Sequence, residues 1–220
     1  MAERCLLYYI TDRSQFRGGV DARRRALLDK VAEAAASGVD YVQLREKDLS
    51  ARELEILARE VLRVVRQASS STSTRVLINS RTDVALAVGA AGVHLPSDDV
   101  APHHVHEAVE ASADRTMPAR QFLVAASCHF NQEIIRAEAE GADFAVFAPV
   151  FGKTGSSGTQ PAGLAALREA CTARIPVLAL GGVNLENAPA CLDAGAAGVA
   201  GIRLFQENKI EDVVRALRTT

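Results

Sequence analysis

Gln43, Arg45 and Lys47 alternate within the run Gln43-Leu44-Arg45-Glu46-Lys47, so on extended backbone their side chains point to one side. A guanidinium and an ammonium held side by side could clamp an anionic group. The plainer alternative is a salt bridge to Glu46 or Asp48. Gly181-Gly182 and the run Gly201-Ile202-Arg203 each end an apolar stretch. Glycine lets backbone N–H groups approach phosphate oxygens closely, although each could simply make a turn. Ser127 and His129 share another segment, and His129 there could act as a general acid or base near neutral pH. Its plainer role is a loop histidine bonded to a carbonyl. Asp98 and Asp99 could bind Mg²⁺, which prefers carboxylate oxygens and keeps water, or could complement a helix N-terminus. His103, His104 and His106 suggest a metal cluster by type, but they open an exposed helix and read as solvated surface. His94, at a strand end, takes a supporting role.

The elements that must position these groups alternate regularly. Apolar runs at Leu6–Ile10, 41–44, 76–78, 92–95, 122–126, 144–148, 177–180 and 198–202 read as strands. Helical patterns lie between them at 24–37, 51–67, 83–88, from 103, 132–140, 164–171, 185–193 and 211–217. The helix over 51–67 is the plainest, with Leu54, Leu57, Ala58, Val61, Leu62 and Val65 on one face and Ser50 with Glu53 as a capping box. Gly38 and Gly141 close helices, as left-handed residues should. The polar run 68–74 is a connector, and the Gly-rich run 152–158 reads as a mobile lid. GVDYVQL, GAAGVHL, GADFAVF and GAAGVAGI recur roughly 50 residues apart, about two strand–helix units, as a regular closed barrel gives. The expected fold is therefore a single-domain (β/α)8 TIM barrel over residues 1–220, with its site where strands run out into loops. An open doubly wound sheet would want a Gly-rich turn after the first strand, where Thr11-Asp12-Arg13 stands instead.

Bulk properties agree. Hydrophobic residues make up 48% and aromatics 5%, with no Trp, so Ala, Val, Leu and Ile must fill buried parallel strands. A net charge of −2 gives no electrostatic footprint for nucleic acid. No apolar run reaches the roughly 20 residues that span a bilayer, and no basic leader precedes the first strand. The expectation is a cytoplasmic protein whose partners are small phosphorylated metabolites, not nucleic acid or membrane; a homo-oligomer stays open. Cys5, Cys128, Cys171 and Cys191 lack metal spacing and read as reduced, packed thiols.

Gln43 to Lys47 (QLREK), Gly92 to Leu95 (GVHL), Ser127 to Asn131 (SCHFN), Gly141 to Phe144 with Pro149 to Phe151, Ile175 to Val183 (IPVLALGGV) and Gly195 to Ile202 occur in one order. In that order the chain resembles the thiamin phosphate synthase/TenI superfamily over nearly its whole length. The resemblance implies a thiazole phosphate ligand. Its synthase branch joins hydroxymethylpyrimidine diphosphate to thiazole phosphate with Mg²⁺ and releases pyrophosphate. Its TenI branch tautomerises a thiazole carboxylate phosphate without a metal. By resemblance, Gln43, Arg45, Lys47 and Asn79 hold the diphosphate substrate, Ser127 lies on the pyrophosphate side, and Asp99 stands at a Mg²⁺ carboxylate. Gly181, Gly182, Gly201 and Ile202, with Arg203, cradle the thiazole phosphate, and His129 matches the TenI acid/base.

The chain departs from the synthase pattern at several positions. Ser80 replaces the Asp of an Asn-Asp pair, which removes one metal carboxylate and should impair diphosphate ionisation. Pro96-Ser97 replaces Gly-Gln, as in TenI. In the loop after the sixth strand, only Lys153 and Thr154 could substitute for the family's diphosphate-side Lys and Thr, and they stand out of register with them. These departures put a thiazole tautomerase using His129 first. A Mg²⁺-dependent synthase comes second, with Asp83 as a replacement carboxylate, and a non-catalytic thiazole or thiamin phosphate binder third. A sugar-phosphate isomerase rests on fold analogy alone.

Overall fold

The computed structural model describes residues 4–68, 74–112, 121–152 and 160–218. Eight parallel strands close a barrel in sequence order: β1 (Leu6–Ile10), β2 (Tyr41–Leu44), β3 (Arg75–Asn79), β4 (Gly92–Leu95), β5 (Leu123–Cys128), β6 (Phe144–Phe147), β7 (Val177–Ala179) and β8 (Gly198–Gly201). The helices α1 (Val20–Ala36), α2 (Ala51–Ala68), α3 (Thr82–Val88), α4 (Pro102–Ala111), α5 (Asn131–Ala139), α6 (Gly163–Ala170), α7 (Ala188–Asp193), α8 (Arg203–Gln206) and α9 (Ile210–Arg218) cover it. The outward faces of the strands pack against helix stripes such as Leu54, Leu57, Ala58, Val61 and Val65 of α2. Each such fully buried leucine or valine contributes about 2 kcal/mol. Ser50 and Glu53 form the expected capping box, with Ser50 N donating to Glu53 Oε2 at 2.9 Å. Among the described residues no helix is long and apolar enough to cross a membrane.

Four differences from the sequence expectation exceed a single residue. Helix α1 begins at Val20 behind an extended Gly19 that makes no side-chain cap bond, so no capping residue marks its start. Helix α7 is shorter at its N-terminal end because the Asn184 side chain accepts from Glu186 N and Asn187 N and holds a turn. Strand β5 runs on to Cys128, which puts Ser127 inside the sheet. Helix α8 is an extra short element after β8.

The internal repeat explains how the barrel interior is filled. Each copy opens on a left-handed glycine, namely Gly38, Gly89, Gly141 and Gly195. Three residues later each reaches the first residue of an even-numbered strand: Tyr41, Gly92, Phe144 and Gly198. Tyr41 and Phe144 stack inside the barrel with ring centroids 5.0 Å apart, and Tyr8 meets both edge-on. Gly92 and Gly198 alternate with them. A Cβ at Gly92 would lie 2.1 Å from the Leu123 carbonyl oxygen, and one at Gly198 would lie 2.0 Å from that of Leu6. The layer is thus two large rings and two missing side chains, a taper suited to a closed interior. In the two aromatic copies an aspartate precedes the ring and accepts the backbone N–H of the preceding strand: Asp40 from Leu7 at 2.8 Å and Asp143 from Val124 at 2.7 Å.

Gly92→Ala and Gly198→Ala should each destabilise the fold by roughly 3 kcal/mol or more, because overpacking here meets backbone. Denaturant unfolding measures this, and a native midpoint for either variant would refute the packing argument.

Candidate functional site

Above the aromatic layer the inward positions divide the barrel in two. Gln43, Asn79, His94 and Ser127 come from consecutive strands β2 to β5. On the other side Ile10, Val146, Leu178 and Ala200 keep the interior apolar. Buried polar groups need partners, and these have them. Gln43 is 2% exposed and donates through Nε2 to Asn79 Oδ1 at 2.9 Å. Asn79 Nδ2 in turn donates to Ser80 Oγ at 3.1 Å. His94 bridges Tyr8 and Ser127: Nδ1 lies 3.1 Å from the Tyr8 hydroxyl and Nε2 lies 2.8 Å from Ser127 Oγ. Burial, with the Arg45 charge added, holds the His94 pKa down to about 3, so this imidazole is neutral at physiological pH.

A cavity of about 710 Å³ opens over the polar side. Arg45, Lys47, Arg81, Asn79, Ser127 and His129 line it, together with Ser80, Ser97 and Asp98. The salt-bridge alternative for Arg45 and Lys47 does not hold, because Arg13 takes both acids, at 2.8 Å from Glu46 and 2.7 Å from Asp48. Among the described residues neither Arg45 nor Lys47 has an ion-pair partner. Thr11 locks their loop: its hydroxyl donates to Glu46 at 2.7 Å and accepts the Arg45 N–H at 3.0 Å. Two cations therefore face the cavity on a braced backbone. His129 lies at the rim. Its Nδ1 is 2.6 Å from the Ala148 carbonyl oxygen; a carbonyl only accepts, so Nδ1 carries a proton and Nε2 is the nitrogen left for a substrate. Asp99 opens onto a small adjoining hollow and accepts from the Val100 N–H at 2.8 Å, whereas Asp98 lines the large cavity itself.

The second cavity, of about 600 Å³, sits where β7 and β8 end. Gly181, Gly182, Gly201, Ile202 and Arg203 line it with Asn184. This is where many barrels hold a phosphate, between the loops after strands seven and eight and beside a short extra helix. Gly181 and Gly182 are also required locally, with φ of 93° and 66° and with Pro149 and Phe151 too close for a Cβ. Their turn role and their place in the cavity coexist. Gln206 on α8 joins the two halves. It accepts from Asp12 N at 2.9 Å and returns a bond to the Asp12 carbonyl at 3.1 Å, one residue from Arg13.

Lys153 and Thr154 lie outside the described residues, as does most of the expected lid. Asp83, considered as a replacement carboxylate, is engaged by Arg81, whose Nε donates to Oδ1 at 2.8 Å. Among the described residues no three acidic, histidine or cysteine side chains gather as a metal site. His103 and His104 are exposed, and His106 bonds the Gly141 carbonyl at 3.0 Å. All four cysteines are free; Cys5, Cys128 and Cys191 are buried and Cys171 is half-buried. Desolvation pushes the Cys128 thiol up to about 12 and the Cys171 and Cys191 thiols to about 11. Sequence reasoning did not find Tyr8, which sits in an aromatic run on β1 with nothing to mark its hydroxyl for a partner 86 positions away.

Comparison with known proteins agrees with this architecture. The thiamine monophosphate synthase family matches residues 7–205. The chain is 39% identical over 194 residues to the thiamine-phosphate synthase of Chlorobium luteolum, covering 86% of this chain and 85% of the relative. It is 35% identical over 217 residues to that of Syntrophomonas wolfei, covering 96% and 94%. The solved thiamine phosphate pyrophosphorylase from Pyrococcus furiosus superposes with a TM-score of 0.78 at 27% identity, covering 99% of this chain and 95% of its own. With the barrel, the cation-lined cavity and the glycine-lined cavity in place, the chain belongs to the thiamine monophosphate synthase family of enzymes.

Proposed function

We propose that the protein is a thiamine-phosphate synthase, joining hydroxymethylpyrimidine diphosphate to thiazole phosphate with release of pyrophosphate. The observation that carries this reading is the pair of cavities at one end of the barrel, of about 710 and 600 Å³. Two anionic substrates need two anion sites, whereas an isomerase needs one. The relatives' names favour the same branch, so the transferase takes precedence over the tautomerase that the departures at Ser80 and Pro96-Ser97 had put first.

The diphosphate lies against Arg45, Lys47 and Arg81, and the thiazole phosphate against the Gly181, Gly182 and Gly201 loops with Arg203. The bond between the pyrimidine methylene carbon and the diphosphate oxygen breaks, and its electron pair leaves with pyrophosphate. The thiazole nitrogen donates its lone pair to the same carbon. Fixed cations beside the leaving oxygen stabilise the charge that develops there, and a guanidinium can take two phosphate oxygens at once. Mg²⁺ is commonly held by one or two carboxylates, water and substrate phosphates. Asp98, the neighbouring Asp99, Ser80 and Ser97 offer that limited set, which fits a metal carried in with the diphosphate. When bound, it would neutralise leaving-group charge.

A second reading, thiazole tautomerisation by His129, keeps one specific support: Nδ1 is pinned to Ala148 and Nε2 is left for a substrate. A mass-spectrometric end-point assay separates the two. Supplied with both substrates, the protein should form thiamin phosphate with Mg²⁺ and none with EDTA. No product under conditions where an authentic synthase works, with metal-free conversion of the thiazole carboxylate phosphate that His129→Asn abolishes, would establish the isomerase instead.

Arg45→Gln and Lys47→Gln should each raise KM for the pyrimidine diphosphate about tenfold or more, as loss of a bond to a charged group does. KM for the thiazole phosphate should hold. Steady-state kinetics with each substrate varied in turn measures this, and equal effects on both substrates would show that the assignment of cavities is wrong.

A further inference from the structure

We propose that His94 is a positioning residue: held between Tyr8 and Ser127, its neutral imidazole turns the Ser127 hydroxyl proton outward, toward an anionic oxygen in the large cavity. The proposal rests on the reading that this cavity takes a diphosphate.

Tyr8 is fully buried and His94 is 3% exposed. They lie among Tyr41, Phe144, Leu77 and Ala125, where an unmet hydroxyl proton would be costly. Among the described residues, His94 Nδ1 is the acceptor within reach of the Tyr8 O–H. A proton on Nδ1 would meet the Tyr8 oxygen and leave the Tyr8 proton without an acceptor. The Tyr8 O–H therefore donates to Nδ1. A neutral imidazole with an accepting Nδ1 carries its proton on Nε2. Nε2–H then donates to Ser127 Oγ at 2.8 Å. With its oxygen already accepting from His94, the Ser127 proton points to the cavity that Ser127 shares with Arg45, Lys47 and Arg81.

This arrangement gives a directed donor without a charge. Serine hydroxyls rotate freely in water, and orienting one in advance removes part of the cost of binding. It also accounts for a polar chain running through the barrel core, where aliphatic side chains would pack without any matching of partners.

The test combines nitrogen-15 NMR of the His94 ring with calorimetric binding of inorganic pyrophosphate in the presence of Mg²⁺. The wild-type ring should be the Nε2–H tautomer, with and without pyrophosphate. Ser127→Ala and His94→Gln should each weaken pyrophosphate by about tenfold, and the double variant should be no weaker than Ser127→Ala alone. Tyr8→Phe keeps the packing and removes the fixing proton. It should leave His94 Nδ1 without a donor, so that the ring is no longer fixed as the Nε2–H tautomer, the Ser127 proton is no longer held outward and pyrophosphate binds less tightly. A core role alone would lower the stability of Tyr8→Phe and leave pyrophosphate affinity unchanged. An Nδ1–H tautomer in the wild type, additive losses in the double variant, or an unchanged affinity in Ser127→Ala would each overturn the proposal. If the enzyme makes thiamin phosphate while any of these holds, the positioning role fails and the synthase reading stands. If it neither binds pyrophosphate nor makes thiamin phosphate, both fail.

Discussion

A closed barrel of eight parallel strands encloses a fixed interior, and what fills that interior constrains everything above it. Here two aromatic rings from β2 and β6 occupy one layer, and glycines on β4 and β8 give them room. Tyr8 from β1 wedges against both rings and reaches His94 with its hydroxyl. The aromatic layer is therefore both the floor of the site and the support of its polar chain. Residues at such a floor hold single rotamers because neighbouring atoms leave no other space, so the polar groups above inherit a defined position.

Above the floor the two sides of the barrel do different work. Strands β2 to β5 turn Gln43, Asn79, His94 and Ser127 inward, while the other strands present aliphatic side chains and end in glycine-bearing loops. The first loop after β1 ties the sides together. Arg13 binds Glu46 and Asp48 at the cationic cavity, and Asp12 binds Gln206 beside the glycine cavity. Glu46 is buried, and desolvation raises its carboxyl pKa despite the bonds from Thr11 and Arg13. Its bonds from Thr11 and Arg13 hold the carboxylate in one geometry. That geometry belongs to the backbone that carries Arg45 and Lys47.

The eight-fold alternation, the repeat and the parity of Gln43, Arg45 and Lys47 were legible because each is a local periodic signal. So was the capping box at Ser50 and Glu53. The meaning of the repeat was not. That GVDY and GADF supply rings while both GAAG copies supply gaps depends on four strands facing one another. Tyr8 and His94 lie 86 positions apart, and no local pattern distinguishes a tyrosine that bonds a core histidine from one that fills space. Ser127 looked like a loop residue because Ser-Cys-His carries no strand pattern, yet it lies within β5, one residue before its end, with its side chain inward. Helix α8 is four residues long, too short for a periodicity to register.

The departure at Ser80 acquires a physical setting in this geometry. Ser80 has φ of 59°, a left-handed conformation that costs most side chains something and suits Asn or Asp better than Ser. The Asn79 amide, donating to Ser80 Oγ, helps to hold it. A carboxylate at this position would have faced the same cavity as Asp98; a hydroxyl leaves the cavity one negative charge poorer. Glu46 is matched by Arg13, so Arg45, Lys47 and Arg81 stand against Asp98, with Asp83 sharing only Arg81 from outside. The Arg81–Asp83 pair is largely exposed, at 39% and 65%, and such pairs are worth little, so a multiply charged ligand can compete for the guanidinium. On the proposed synthase reading, a hydroxyl in place of a carboxylate offers less to a metal, while the lower negative charge favours a bound diphosphate. On that reading, Arg45, Lys47 and Arg81 carry a larger share of the charge set against the diphosphate, beside the Mg²⁺ that it brings.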